Sequence, residues 1–329
     1  MLAARLARAR LPRIVRTVID HGLDPRRGTF VEVSVEPAMA LLALRQNTRM
    51  FQEKTAPQIL EAVLGEALSP YGRSVQLELS GSYARREHCL QYQESDLDFV
   101  HRLMEEEGIA YAFDLEGDVE VLVLRDDDAA YPPVTSLRAP LRLTSSDLYL
   151  RDEEPITSLT MRLRHTTTSV VVTDWDWTRG GDMRVGDERR GTDALGRDRE
   201  SYEHGLFWNL RRWDYSTGPR RYQENDAAHQ ANVRRQAHAV GAMVAEGTSR
   251  VIGLWPGTTF ELTGHPTLGM DGEYLVTSVV HVSGPEPGST GGGQAEGYHN
   301  RFECIPLGTP HRPTRPRGSP ASPASRRRW

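Results

Sequence analysis

In stretch after stretch of this chain apolar residues recur at every second position, and that period decides what it can build. Phe30, Val31, Val33 and Val35 alternate with polar neighbours, as do Ile109, Tyr111 and Phe113, and then Val119, Val121 and Val123. The pattern returns at 159–164, 169–175, 258–262 and 273–282. Such alternation puts one apolar face on each strand. Ile14, Val15, Val18 and Ile19 begin the series, His21-Gly22-Leu23-Asp24-Pro25 turns it back as an antiparallel pair, and Pro37 ends it. The expected fold class is mainly β with inserted helices (α+β).

Three stretches break the period of two. Thr55-Ala56-Pro57-Gln58 has the residues of a capping box with proline in the first turn, and Ile59, Leu60, Val63, Leu64 and Leu68 form the apolar stripe of a helix ending near Ser69-Pro70. Ser95 is an N-cap for a second helix. Asp96 and Asp98 lie at its positive end, Leu97, Val100, Leu103 and Met104 follow at helical spacing, and Gly108 stops it. A third helix is expected over about Asn225 to Glu246, where alanines recur. The 284–297 segment, with its Gly291-Gly292-Gly293 run, reads as a long loop.

Composition removes several functional classes. No apolar stretch approaches the roughly 20 residues that span a bilayer. Among 329 residues the formal net charge is −5, but five arginines and no acid lie in 1–16, and six arginines and no acid in 310–329. Two basic ends flank an acidic body, which lacks the basic stripe of a nucleic-acid-binding core. Lys54 is the sole lysine among 40 basic residues, so individual arginines carry little functional weight on composition alone. Cys89 and Cys304 are too few for a disulfide framework. They read as buried thiols in a reducing compartment, with a single disulfide left open.

Candidate chemistry is sparse. Asp126-Asp127-Asp128 lacks the glycine and glutamate of a calcium loop and reads as a solvated turn. No HExxH, GxSxG, Walker loop or dinucleotide fingerprint occurs. His88 and Cys89 would point to opposite faces of a strand, and His101 reads as an exposed helix position. Glu105, Glu106 and Glu107 point about 100° apart on a helix, so they cannot face each other as an acid/base pair and read as a charged helix end. Gly180-Gly181 is explained as a polar loop. Trp175, Trp177, Trp208, Trp213 and Trp255 suit core or interface anchoring better than a sugar platform.

Two segments carry a resemblance. Arg49 to Leu60, with Phe51, Gln52 and Thr55, resembles a segment of the VgrG spike proteins of the type VI secretion system, and Cys89 to Ile109 resembles that family's most recognisable stretch. In the second segment the matching positions are Gln91, Tyr92, Glu94, Ser95, Asp96, Phe99, Arg102, Glu106 and Gly108. Pro256-Gly257 through His265-Pro266, and 274–281, are similar to the family's late barrel strands, while 300–306 with 311–313 is similar to its exit toward a following domain.

The resemblance implies two β-barrel-like domains of the phage-hub type, the first incomplete. It divides the chain into a basic extension (1–13), the remainder of a first barrel (14–45), a helix and hairpin region (46–135), a second barrel with an inserted helix (136–305) and a disordered Pro/Arg-rich tail (306–329). It also implies further strands before Ile14 and a β-helix needle after Pro313, so that the chain would be truncated at both ends. The implied function is a noncatalytic structural hub that forms a homotrimer on the secreted hexameric tube and contacts baseplate components. No cofactor, metal, nucleic acid or stable membrane insertion is expected. The protein would be cytoplasmic before assembly and exported through the apparatus. The competing readings are a nonfunctional truncated product, a secreted hydrolase effector and a glycan-binding β module.

Overall fold

A computed structural model describes residues 14–24, 28–114, 119–127, 131–136, 139–144, 154–175, 184–189, 191, 197–204, 212–214, 221–223, 226–283 and 298–313. The basic extension over 1–13, Gly180-Gly181, Trp177, Trp208 and the 284–297 loop lie outside these residues, as do Asp128 and 314–329.

The chain opens with strands β1 (Ile14–Asp24) and β2 (Gly28–Glu36), paired antiparallel as a two-stranded ribbon. A 3-10 turn (Ala38–Leu44) leads to β3 (Gln46–Thr55), which runs directly into helix α1 (Ala56–Leu68). After a second short 3-10 turn and β4 (Ser74–Glu78), β5 (Arg85–Ser95) pairs with β3 and runs directly into α2 (Asp96–Glu107). Strands β6 (Ala110–Asp114) and β7 (Val121–Arg125) form the expected hairpin, and β4 adds in parallel to β7.

The two strand-to-helix units share one design. Thr55 and Ser95 cap the helices through side-chain oxygens that accept from the N–H of Gln58 and Asp98, at 3.4 and 3.0 Å. Glu53 and Gln93, each two residues before its cap, adopt positive φ. Met50 lies opposite Leu90 near the middle of the ladder, with one helix leaving each end of the pair. Between them the helices bury Ile59, Leu60, Val63, Leu64, Phe99, Val100, Leu103 and Met104 against Leu122 and Leu124 of β7. Phe51 stacks on Phe99 with ring centroids 5.7 Å apart.

The second half continues with β8 (Leu141–Arg142), β9 (Ile156–Leu163), β10 (Ser169–Trp175), β11 (Arg184–Arg189), β12 (Glu200–His204), β13 (Arg212–Asp214) and β14 (Arg221–Gln223). Helix α3 (Asp226–Val240), β15 (Met243–Ser249), β16 (Thr259–Thr263), β17 (Gly272–Val282) and β18 (His299–Pro306) complete it. Six strands form one sheet in the order β8-β16-β17-β18-β15-β9 around Phe260, Leu262, Tyr274, Val276, Phe302 and Cys304. The sheet curls back on itself: the Leu143 N–H reaches the Thr263 carbonyl at 3.1 Å, and the Thr144 N–H reaches the Ile156 carbonyl of β9 at 2.9 Å. Gly247 makes room for this core, since a Cβ there would lie 2.6 Å from the Phe302 ring. Strands β10, β11 and β12 form a separate small sheet, on which α3 seats Ala231 against Val170 and Val172.

The third helix is shorter than its alanine pattern predicts. It stops at Val240, and Glu246 belongs to β15, where residues 245–249 alternate in exposure between two partner strands. Pairing on both sides overrides helix propensity. The tail expected from 306 also begins later. The Leu307 N–H donates to the Glu273 carbonyl at 2.9 Å, and 307–313 run on as a strap across α3. Cys89 and Cys304 are buried free thiols in separate cores. Burial pushes both above the ordinary thiol value, Cys304 to about 12, so neither is a reactive thiolate.

Because Phe99 is fully buried between both helices and Phe51, Phe99→Ala is expected to destabilise the chain by about 3–5 kcal/mol. Urea unfolding followed by circular dichroism measures this loss.

Candidate functional site

The residues singled out in 49–60 and 89–109 converge on two buried charge clusters and a joint. In the first cluster the Asp96 carboxylate is fully buried at the start of α2. Arg49 Nη2 meets Asp96 Oδ1 at 2.6 Å and Arg45 Nε meets Oδ2 at 3.2 Å, while the Asn47 and Gln91 amides donate to Oδ1 at 3.1 and 2.8 Å. Gln91 also accepts from Arg49 Nε at 2.9 Å, and both arginines extend to Glu66 of α1. The Asp96 N–H donates to the Arg45 carbonyl at 2.8 Å. One carboxylate thereby ties together α2, β3, β5, the 3-10 turn and α1.

The second cluster sits at the other end of α2. Arg86 of β5 is buried, and its guanidinium meets Glu106 and Glu107 at 2.7 Å each. Burial works against this charge, but the two carboxylates more than offset it and hold the guanidinium above its ordinary value. Arg102 meets Glu94 at 2.6 Å, reaches Glu106 at 3.4 Å and lies over the Phe99 ring at 5.3 Å. Glu105 to Glu107 are therefore not simply a solvated helix end: Glu106 is buried and spoken for.

Beyond it comes the joint between the two halves. Gly108 takes a left-handed conformation (φ +71°), and a Cβ there would lie 3.0 Å from Val233 of α3 and 3.2 Å from Arg312 of the strap. Gln230 of α3 donates to the Glu106 carbonyl at 2.9 Å, and Arg312 Nε donates to Gln236 at 3.0 Å. Tyr131 and His311 meet edge to face at 6.3 Å. On the barrel side Gly257 (φ +83°) follows Pro256 in a turn, and a Cβ on it would overlap the Ala112 methyl of β6.

His265 closes the barrel seam. Its Nδ1 accepts from the Thr267 N–H at 3.0 Å, so the proton sits on Nε2, which faces the Leu159 carbonyl of edge strand β9 at 3.2 Å. Pro266 is exposed in the bend that follows. Gln52 and Tyr92 lie on the solvent side of the β3–β5 pair, where Gln52 faces His88 and Tyr92 faces Thr48. Gln52, Tyr92 and Pro266 thus stand apart from the clusters. Arg45, Arg86, Gln230 and Arg312 belong to them; Arg312 falls in the 311–313 segment noted above, and nothing in the sequence marks the other three.

Three other expectations change. Asp126 is held rather than solvated: burial raises its pKa, but the Ser80 and Gly81 N–H groups and the Tyr83 hydroxyl, at 2.6–2.8 Å, outweigh this and hold the carboxyl below its usual range. His101 is half-buried and stacks on Tyr111 at 5.7 Å. Trp255 is half-buried against His281, with centroids 4.2 Å apart. The side chains of Trp175 and Trp213 lie outside the described set. Among the described residues no cluster of three or more His, Cys, Asp or Glu side chains is placed to hold a metal, and no helix is long and apolar enough to cross a membrane.

The family model for the phage tail baseplate hub (GPD) matches residues 7–286. The chain is similar to the type VI secretion system spike protein VgrG4b of Pseudomonas aeruginosa, at 29% identity over 294 residues, covering 85% of this chain and 34% of the relative. It is also similar to the actin cross-linking toxin VgrG1 of Vibrio cholerae, at 30% identity over 288 residues, covering 84% of this chain and 24% of the relative. The chain thus spans about a third or less of the length of these curated relatives. Among solved structures it resembles the E. coli c3393 protein, a component of the type VI secretion system, with a TM-score of 0.56 at 22% identity, covering 92% of this chain and 62% of the other. A tail protein from Neisseria meningitidis gives 0.57 at 9% identity, covering 90% and 80%.

Glu106→Ala removes one of the two carboxylates on buried Arg86, with Glu107 remaining at 2.7 Å, and is expected to destabilise the chain by about 1–3 kcal/mol, read as a lowered urea midpoint. His101 gives a pH effect. Burial pushes its imidazole below the ordinary value, opposed by Asp98. The folded chain therefore binds this proton less readily than the unfolded chain. The associated stability is complete above about pH 6.5 and is lost as pH falls through the folded value. His101→Phe, which keeps the stack, should flatten the fall in urea midpoint between about pH 7 and 5.

Proposed function

The chain belongs to the phage tail baseplate hub family, and from that premise we propose that it is a structural, noncatalytic hub component of a type VI secretion spike. Three copies associate, the ring they form seats on the secreted hexameric tube, and baseplate components contact its outside. The protein waits in the cytoplasm until assembly and leaves through the apparatus.

The observation that carries this reading is where the motif charges go. Asp96, Glu94, Glu106 and Arg102 are directed at one another and at Arg45, Arg49 and Arg86. A catalytic carboxylate needs access to substrate and water, whereas these groups fix the angle between strand and helix. Side chains of the second segment are committed to shape, which suits a part that works through contact and rigidity.

Sedimentation velocity tests the assembly, and incubation with peptidoglycan and phospholipid tests the absence of chemistry. The expected result is a concentration-dependent trimer with no turnover of either substrate. A strict monomer at every concentration overturns the assembly. Hydrolysis that survives purification and vanishes on changing a single carboxylate or histidine overturns the noncatalytic role.

A further inference from the structure

Gln52, Tyr92 and Pro266, which take no part in the charge clusters, lie on two different open surfaces, the first two on the β3–β5 pair and the third in the turn between β16 and β17. The turn has Leu268 and Gly269 at its corners. Gly269 is left-handed (φ +84°), and the Met270 N–H donates to the Thr267 carbonyl at 3.3 Å. It is braced on both sides. The Asp271 carboxylate accepts from the N–H groups of Gly264 and His265 at 3.2 and 2.8 Å, and His265 Nδ1 accepts from the Thr267 N–H. Met270 is buried in the barrel core, and its carbonyl accepts from the Tyr274 hydroxyl at 2.7 Å. Leu268 at the tip is nonetheless 101% exposed. On a slack loop a leucine folds back onto nearby apolar surface, whereas these bonds hold it out in water.

The β3–β5 pair has one packed side and one open side. Cys89 and Gln91 are buried on the packed side, where Phe51 stacks on Phe99. On the other side Met50, Leu90 and Tyr92 are 61%, 51% and 56% exposed. We infer that the two surfaces meet between copies: the 266–269 turn of one copy seats Leu268 among Met50, Leu90 and Tyr92 of the next. The inference rests on the three-copy reading above and names its contact.

Symmetry favours a second copy as the occupant. A surface matched to itself produces pairs, while a ring of three needs each copy to offer two different surfaces that fit each other. The turn lies in the barrel and the open strand face in the first half. Size agrees as well. Met50, Leu90 and Tyr92 expose about 350 Å², somewhat under half of what each partner contributes to an interface of standard size. The pairs from Thr48–Tyr92 to Gln52–His88 run for roughly 13 Å along the strands, room enough for a turn less than about 7 Å across its base.

The chemistry matches too. Pro266, Thr267, Leu268 and Gly269 carry no charge, and neither does the centre of the strand face, where His88 stands at one end. An unbranched methionine beside a flat tyrosine adapts to an inserted leucine. Because the turn is already held in shape, docking it costs little further ordering.

Two single variants of the full chain test this. Leu268→Asp and Leu90→Asp should each weaken association at least about tenfold in sedimentation velocity, since a charge replaces a leucine that docking buries. The urea midpoint of Leu268→Asp should equal that of the unaltered chain, which separates lost docking from lost folding. Mixing the variants is the sharper test. One keeps an intact strand face and the other an intact turn, so an equimolar mixture should give a heterodimer with no trimer. If Leu90→Asp lowers the urea midpoint, a chain carrying both Leu268→Cys and Leu90→Cys takes its place. Both native thiols are buried, so diamide should link the new ones between copies, giving dimers and trimers on a non-reducing gel.

Unchanged association of either folded aspartate variant, trimers from the mixture, or no link between the paired cysteines overturns the inference and leaves the three-copy reading standing, since the copies then meet elsewhere. An unaltered chain that stays monomeric at every concentration overturns both.

Discussion

Asp96 is a carboxylate with no access to water, and five parts of the first half of the molecule are arranged to make that tolerable. A buried ion left unpaired is worth several kcal/mol of instability, so Arg45, Arg49, Asn47 and Gln91 are constrained to reach it. Each lies on a different stretch of backbone from the helix it serves. The angle at which α2 leaves β5 is consequently set from outside α2, and Phe99, one turn further on, is delivered to the Phe51 ring. Move the carboxylate and the aromatic stack loses its register.

The second charge cluster extends the same logic toward the barrel. Arg86 anchors Glu106, the Glu106 carbonyl accepts from Gln230 on α3, and Gly108 brings Val233 and Arg312 into contact beside it. A chain of ion pair, hydrogen bond and close packing thus leads from β5 across α2 into the second half without a solvent-filled step. A continuous path of direct contacts of this kind is one physical route by which two halves of a protein can be coupled.

Local signals were legible in the sequence and distant ones were not. Thr55 with Gln58, Ser95 with Asp98, and Gly108 act within one helical turn, and their residue types announce them. The alternation over 109–113 and 119–123 likewise marks β6 and β7, because a strand's faces are set by its own neighbours. The pairing of β3 with β5 was harder to see, since Arg49 and Gln91 occupy inward positions where apolar residues are expected. The helix expected to reach Glu246 ends early because alanine's local preference for helix is overridden by pairing with β9 and β18, far away in sequence. The link between His265 and Leu159 spans more than a hundred residues, and only the closing of the sheet brings the two together. Among the motif positions, those that make long-range pairs were recognisable as conspicuous, but their partners were anonymous arginines.

The glycines at the joint have a mechanical meaning. A hinge needs spare volume on at least one side, so that something can swing into it. At Gly257 one added carbon would overlap Ala112, and at Gly108 it would crowd Val233 and Arg312, so at these two points the halves are in close contact. Contacts this close leave little room at these two points for one half to swing toward the other, which suits a part that bears load along its length more than one that bends.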